Sequence, residues 1–350
     1  MIDIKEYGYD PTYFEQELDG MVPARVTATH KSMFEVVCEH GITSAKLKAG
    51  VYYNDTGEMF PTTGDFVLVN YNLDGDSQIV KTGRRKSLFC RKSPDGDNKE
   101  QAAAANFDYV FIMTSLNKEL NTNRIDRYLA LAWESGAVPV IVLTKADLVE
   151  DYDDIMSRVL SVAGIAQVVV VSTVNGQGIE QLKEYLSPQK TAVFLGSSGV
   201  GKSSLVNFLE GESVMHVSDI RQDDSKGRHT TTHRQLIKLK SGAMVIDTPG
   251  MRELGLWDAA QGLSQAFVDI EGLTQNCKFS NCSHNSEPGC AVQSALESGE
   301  IDEQRWQSYV KLTKENKYIE DKNAFMKQKQ QIGKEHSKIS RHIKKHGKHL

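Results

Sequence analysis

The stretch Gly196-Ser197-Ser198-Gly199-Val200-Gly201-Lys202-Ser203-Ser204 follows the apolar run 192–195 (Ala-Val-Phe-Leu) and leads into a helix-forming segment. It matches the G-x-x-x-x-G-K-[ST] pattern in the strand–loop–helix setting that the pattern requires. Glycines let the backbone curl without Cβ clashes, so that successive N–H groups and a helix N-terminus face an anion. In such a loop Lys202 reaches the β- and γ-phosphates of a nucleoside triphosphate, and the Ser203 hydroxyl ligates Mg²⁺. A glycine-rich turn with no ligand is the bland reading, and the placement between strand and helix argues against it.

Around this loop, the apolar runs 109–113, 138–143, 168–171 and 244–246 alternate with helical stretches. Segment 124–135 puts Ile125, Tyr128, Leu129, Ala132 and Trp133 on one helix face. Strands apolar on both sides predict a mostly parallel sheet covered by helices, an α/β domain.

Ligands of open α/β sheets bind at the carboxyl ends of the strands. Thr144-Lys145-Ala146-Asp147 stands at such an end, after 138–143. A carboxylate there accepts hydrogen bonds from N1–H and the 2-amino group of guanine. Adenine offers neither donor, and a site built for a polar group rejects the analogue lacking it by about 10⁴ or more. Lys145 can lay its aliphatic stem along the base. Taken alone, the four residues also fit a helix N-terminus with an Asp near its cap. Ser172 and Thr173, after 168–171, resemble a small-residue loop that backs the base.

Asp247-Thr248-Pro249-Gly250 closes 244–246 as D-x-x-G. Asp247 is expected to hold Mg²⁺ through water, and the Gly250 N–H to sense the γ-phosphate. Loop 227–233 (Gly-Arg-His-Thr-Thr-Thr-His) supplies Thr230 or Thr231 as a switch hydroxyl for the metal. Met251 occupies the position where many GTPases carry a water-orienting Gln. His229 is the candidate to hold the attacking water, with His233 second; a solvated loop histidine is the equal alternative. Arg252 reads as a surface ion pair rather than an internal arginine finger. Each piece is common as a turn, but together, each at a strand end, they describe a GTP site.

Their order is unusual. The base-reading residues precede the phosphate loop, whereas most GTPases place them last. Domain termini tend to lie close together, so a sheet tolerates joining old ends and opening new ones. The γ-phosphate-sensing segment then feeds into the carboxyl-terminal module, and ordering of 227–250 by GTP is expected to alter exchange protection in 276–290.

That module carries Cys277-x₄-Cys282-x-His284-x₅-Cys290, which gathers three of the chain's five cysteines within 14 residues. Cys₃His is a structural zinc set whose closed tetrahedron leaves no open position, and zinc would substitute for a core this short segment cannot build. A redox cluster or chance is the lesser alternative. Cys38 and Cys90 read as ordinary residues, and the low, odd cysteine count fits a reducing compartment.

The first hundred residues read differently. Short runs at 24–29, 33–38, 43–48, 66–71 and 78–80 mix β-branched and polar residues between Gly, Asn and Asp turns. Five strands without a long helix predict a small barrel of the oligonucleotide-binding type, or a plain β domain that only packs on its neighbour. Segment 81–92 holds six basic residues and one Phe, and reads as a phosphate grip or a solvated linker. At the other end, 321–350 has nine Lys/Arg against two acids, a net of +7 in a chain of net −5, which leaves −12 on the rest. A basic tail on an acidic body points to a polyanion partner. Its apolar stripe, Phe325, Ile332, Ile339 and Ile343, is expected to dock on the body. No apolar run reaches the roughly 20 residues of a bilayer span. The first residues lack a secretory layout, so a cytoplasmic location is expected. The stripe is also too sparse for a helix lying on a membrane.

The sequence from the strand-rich start through T-K-A-D, G-S-S-G-V-G-K-S-S, G-R-H-T-T-T, D-T-P-G and C-x₄-C-x-H-x₅-C to the basic tail resembles the circularly permuted YjeQ/RsgA family of small ribosomal subunit biogenesis GTPases. The resemblance implies an oligonucleotide-binding barrel over 1–97, a permuted GTPase domain over 98–272 and a mostly helical zinc module over 273–350. It further implies a monomer that binds the 30S subunit and its 16S rRNA late in maturation. Slow GTP hydrolysis would be stimulated by the subunit, and assembly factors released. One departure stands out. The family usually has Asn where this chain has Thr144; an Asn amide can bridge the base loop to the phosphate loop, and the substitution predicts weaker nucleotide binding. A structural, non-catalytic nucleotide site in an RNA-binding module is the runner-up, and an ATP-driven kinase leaves Asp147 without a role.

Overall fold

The computed structural model describes residues 1–15, 20–30, 32–53, 59–92, 100–118, 120–213, 215, 234–247 and 259–346. The amino-terminal strands are β1 (Val22–Thr29), β2 (Phe34–Cys38), β3 (Gly41–Leu47), β4 (Phe66–Asn70) and β5 (Ser77–Thr82), with a short helix α1 (Ala49–Tyr52) between β3 and β4. β1 pairs antiparallel with both β2 and β4, β3 pairs parallel with β5, and β5 returns to β4. The five strands therefore close into a barrel of the oligonucleotide-binding type. Alternate residues point inward, and Ala24, Val26, Val36, Cys38, Val67, Val69 and Ile79 fill the interior.

A two-stranded sheet, β6 (Leu88–Lys92) with β7 (Glu100–Ala105), links this barrel to the second sheet. The second sheet contains β8 (Tyr109–Ser115), β9 (Val138–Thr144), β10 (Gln167–Val170), β11 (Thr191–Gly196), β12 (Arg234–Lys238) and β13 (Met244–Asp247), in the order β10-β9-β8-β11-β13-β12. All are parallel except β12. The helices are α2 (Thr122–Glu134), α3 (Asp153–Ala163), α4 (Ile179–Lys183) and α5 (Lys202–Glu210). Successive side chains of β9 go to opposite cores, Ile141 and Leu143 to one and Val140 and Val142 to the other. This is why the strand is apolar throughout.

The remaining helices are α6 (Ala260–Ala266), α7 (Val268–Gln275), α8 (Ala291–Ser298) and α9 (Glu303–His346). Val292, Ala295, Ile301 and Trp306 join the same core as Ile125 and Leu129 of α2. The cysteine-bearing segment thus shares a core with the parallel sheet, which corrects the expectation that zinc would substitute for a core.

Two buried arginines lock the parts together. Arg25 of β1 is 1% exposed and donates to the carbonyls of Tyr7, Gly64 and Asn106. Burial pushes it down to about 10, so it remains a cation at neutral pH. Arg305 of α9 is 4% exposed and donates to Asp126 of α2, Asp269 of α7 and the Ala266 carbonyl. The barrel and the second sheet are also continuous, because Ala28 and Thr29 of β1 pair with Gln235 and Arg234 of β12.

Two expectations change, and one strand is new. Segment 81–92 is not a solvated linker: Arg85 is bound to the buried Asp65 and Lys86 to Asp108, and 88–92 form β6. The polar stretch 234–238 forms an unforeseen strand. Phe325 is 63% exposed rather than docked, beyond Ile319, the last core residue of α9 among those whose side chains are described. Ile332, Ile339 and Ile343 lie on α9, outside the residues whose side chains are described.

Candidate functional site

β8 is followed by β9 and β10 on one side, while β11 and β13 continue on the other, so the crevice between β8 and β11 is the topological switch point. The phosphate loop opens there, at the carboxyl end of β11, where open α/β sheets bind ligands. Gly199 and Gly201 have φ of +69° and +103°, the left-handed region in which a side chain is strained. A Cβ on Gly196 would stand 2.8 Å from the Met113 carbonyl oxygen. Leu205 and Val206 anchor α5 in the core. Ser197, Ser198, Ser203 and Ser204 remain at least partly accessible around its N-terminus. The Lys202 ammonium lies across the loop, 2.8 Å from the Gly196 carbonyl and 3.1 Å from that of Ser197. Asp247 ends β13, the strand beside β11, and is half-buried.

On the other side of β8, Lys145 takes a left-handed conformation (φ +62°) that turns the chain sharply after β9. Burial, with the Lys118 ammonium nearby, holds Lys145 below the ordinary lysine range. Asp147 is exposed, and its Oδ1 accepts from the Ser172 hydroxyl at 2.5 Å. The buried Ser172 also receives the Val174 N–H, so the loop after β10 is folded around the group that fixes the carboxylate. Ala146 N–H donates to the Val171 carbonyl, tying the two loops again. A cleft of about 520 Å³ bounded by Thr173, Ser204, Asn207 and Phe208 lies between this loop and α5.

Thr144 connects the halves. Its hydroxyl donates to the Val200 carbonyl in the phosphate loop at 2.6 Å. The hydroxyl therefore makes the bridge for which an Asn amide was expected to be needed. We expect Thr144→Val to lower nucleotide affinity about tenfold, since it leaves the buried Val200 carbonyl without that donor, a loss of about 1.4 kcal/mol. Thr144→Asn is expected to restore most of it. Titration with a fluorescent GDP checks this; equal affinities for wild type and Thr144→Val would show that the bridge does not support binding.

His229, Thr230, Thr231, His233, Gly250, Met251 and Arg252 lie outside the described residues.

A second site lies in the carboxyl-terminal module. The ligand atoms of Cys277, Cys282, His284 and Cys290 all fall within 4.8 Å of one another. Nδ1 of His284 is 3.5 Å from the Cys277 sulfur and 3.6 Å from that of Cys290, and the two sulfurs are 3.9 Å apart. Zinc bonds of about 2.3 Å to sulfur and 2.0–2.1 Å to nitrogen give tetrahedral edges of roughly 3.5–3.8 Å, so the residues fit the ion. His284 is itself left-handed (φ +60°), its carbonyl accepts from Gln293, and its ring meets Trp306 at 5.7 Å and 81°. Glu287, which sequence reasoning missed, accepts from Ser283 N–H, Ser283 Oγ–H, Asn285 N–H and Ser286 N–H. The Ser283 donors hold its carboxyl down to about 2. The signal available was an acid closing a Ser- and Asn-rich loop between two ligands.

The description RsgA GTPase belongs to a family whose sequence profile matches residues 82–257. A small ribosomal subunit biogenesis GTPase RsgA of Listeria monocytogenes is 44% identical over 322 residues, which span 92% of this chain and 91% of that protein. Its counterpart in Methanosarcina acetivorans is 41% identical over 310 residues, 88% of this chain and 81% of its own. YjeQ from Thermotoga maritima superposes with a TM-score of 0.62 at 30% identity, covering 83% of this chain and 97% of that one. YloQ, a circularly permuted GTPase, shares the fold with a TM-score of 0.61 at 24% identity, covering 88% and 98%.

Proposed function

This chain belongs to the RsgA GTPase family, and from that premise we propose that it hydrolyses GTP on the small ribosomal subunit during its maturation. The observation that carries the reading is the Thr144–Val200 hydrogen bond, which makes the guanine-reading loop and the phosphate loop one unit despite the 56 residues between them. The relatives above are small ribosomal subunit biogenesis GTPases, and each is matched over most of its length.

In the proposed reaction Asp147 accepts from N1–H and the 2-amino group of the base, and Ser172 holds that carboxylate in place. The backbone N–H groups of 197–203 surround the phosphates, and Lys202 moves from its carbonyl partners to the β- and γ-oxygens. Mg²⁺, for which Ser203 and Asp247 are the oxygen donors at neighbouring strand ends, would neutralise charge developing on the phosphates. His229 positions the attacking water, Thr230 or Thr231 would offer a further oxygen to the metal, and the Gly250 N–H binds the γ-phosphate. Water attacks the γ-phosphorus, the bond to the β–γ bridging oxygen breaks, and GDP and phosphate leave.

Cys277, Cys282, His284 and Cys290 would hold zinc, which would brace the carboxyl-terminal module. The barrel, that module and the basic end of α9 together face the 16S rRNA, and turnover on the subunit releases assembly factors. We place the protein in the cytoplasm as a monomer; no described helix is long and apolar enough to cross a membrane.

Phosphate release measured alone, with 30S and with 50S subunits tests the reading. It predicts at least a tenfold stimulation by 30S subunits only. A rate unmoved by either subunit, with RNA binding retained, would establish the structural nucleotide site instead.

A further inference from the structure

The residues between His284 and Cys290 have more to explain than a loop length. The left-handed region is uncommon for residues other than glycine, yet His284 holds that conformation and turns Nδ1 toward two sulfurs. Gln293 holds its carbonyl from one side, and the donors flanking it converge on one carboxylate. Oε1 of Glu287 accepts the Ser283 N–H at 2.8 Å and the Ser283 hydroxyl at 2.5 Å, and Oε2 accepts the N–H groups of Asn285 and Ser286 at 3.1 Å each. The residues on both sides of His284 are therefore bound to one carboxylate. The Asn285 amide also donates to Ser283 Oγ at 3.2 Å, and the Glu287 carbonyl accepts from the N–H of Cys290, the next ligand.

We propose that Glu287 is the positioning residue of the zinc site: by gathering the donors of 283–286 it sets His284 Nδ1 among the three sulfurs before the ion arrives. The inference rests on the reading of the Cys₃His cluster as a zinc site. Glu287 does not touch the metal. It acts through backbone N–H groups, as outer-sphere partners of metal ligands do elsewhere, where their loss typically costs 10–100-fold in affinity. A carboxylate offers four acceptor positions and no donor. Gln at 287 can still serve the Ser283 pair through its oxygen, but it turns an NH₂ group toward the N–H groups of Asn285 and Ser286.

The test uses the full chain and competition for zinc against a chromophoric chelator, with the absorption bands of bound Co²⁺ as an independent view of the ligand set. Glu287→Gln is expected to weaken zinc binding 10–100-fold. It should also alter the Co²⁺ spectrum, while Glu297→Gln, an exposed acid on α8, changes neither. Ser283→Ala removes one of the four donors and keeps the carboxylate, so a smaller loss of severalfold is expected even if the Gln variant misfolds. Glu287→Gln with zinc affinity within twofold of wild type and an unchanged Co²⁺ spectrum overturns the positioning role. A wild-type chain that binds no zinc overturns the site itself, a distinct result.

Discussion

Replacing Asp147 by Asn is expected to lower GTP affinity by about 10³–10⁴-fold and to let xanthosine triphosphate bind in its place. The direction follows from the hydrogen bond that fixes the side chain. Ser172 donates to Oδ1 at 2.5 Å, so an Asn at 147 keeps its carbonyl oxygen on Ser172 and presents its NH₂ group to the base. That donor faces the 2-amino group of guanine, donor against donor, but it complements the 2-oxo group of xanthine. Competition of a labelled nucleotide by GTP, ATP and xanthosine triphosphate reads the switch. Equal weakening for all three would mean that the substitution damaged the loop rather than its selectivity.

Arg305→Met is expected to destabilise the chain by about 3–5 kcal/mol, the usual cost of removing one partner from a buried ion pair. Arg305 and Asp126 are 4% and 1% exposed on their side chains, and the guanidinium also binds Asp269 and the Ala266 carbonyl. Burial, opposed by Arg305, pushes Asp126 up to about 6, so dehydration of the carboxylate outweighs its partner. A carboxyl that titrates near 6 when folded and near 3.9 when unfolded binds more protons in the folded state between those values. Its contribution to stability is therefore greatest below about pH 4 and falls as pH rises to about 6, by roughly 3 kcal/mol at most. Asp126→Asn should abolish that decline and should rescue part of the Arg305→Met loss. Urea unfolding of the single and double variants at pH 5 and pH 8, followed by tryptophan fluorescence, measures both effects. Losses for Arg305→Met below 1 kcal/mol would contradict the buried-pair account.

The elements legible in the sequence are those whose signal is local. Apolar runs marked β8, β9, β10, β11 and β13 because both faces of each are buried, and the glycine pattern marked the loop after β11. The five barrel strands followed from alternation between turns. β12 was hidden because Arg234 and Gln235 are polar, and its pairing with β1 spans more than 200 residues. Arg85 and Lys86 looked like free charge because their partners, Asp65 and Asp108, lie some 20 residues away, one on either side. Arg25 alternates with the inward-facing Ala24 and Val26, and nothing in its neighbours reveals the three carbonyls that satisfy it. At the nucleotide site the residue types were readable, but the Thr144 bridge was not: whether a hydroxyl reaches Val200 depends on how two loops 56 residues apart approach each other. The Cys₃His set was readable from spacing, whereas the backbone donors that Glu287 gathers carry no sequence signature.

The central claim is that segments 144–147, 172–174 and 196–204, met in permuted order, surround one guanine nucleotide. Hydrogen exchange of the full chain titrated with GDP tests it most directly. The account predicts that protection rises in all three segments together, with one midpoint and saturation at one equivalent. Protection confined to 196–204, with 144–147 and 172–174 unchanged at saturation, would contradict it.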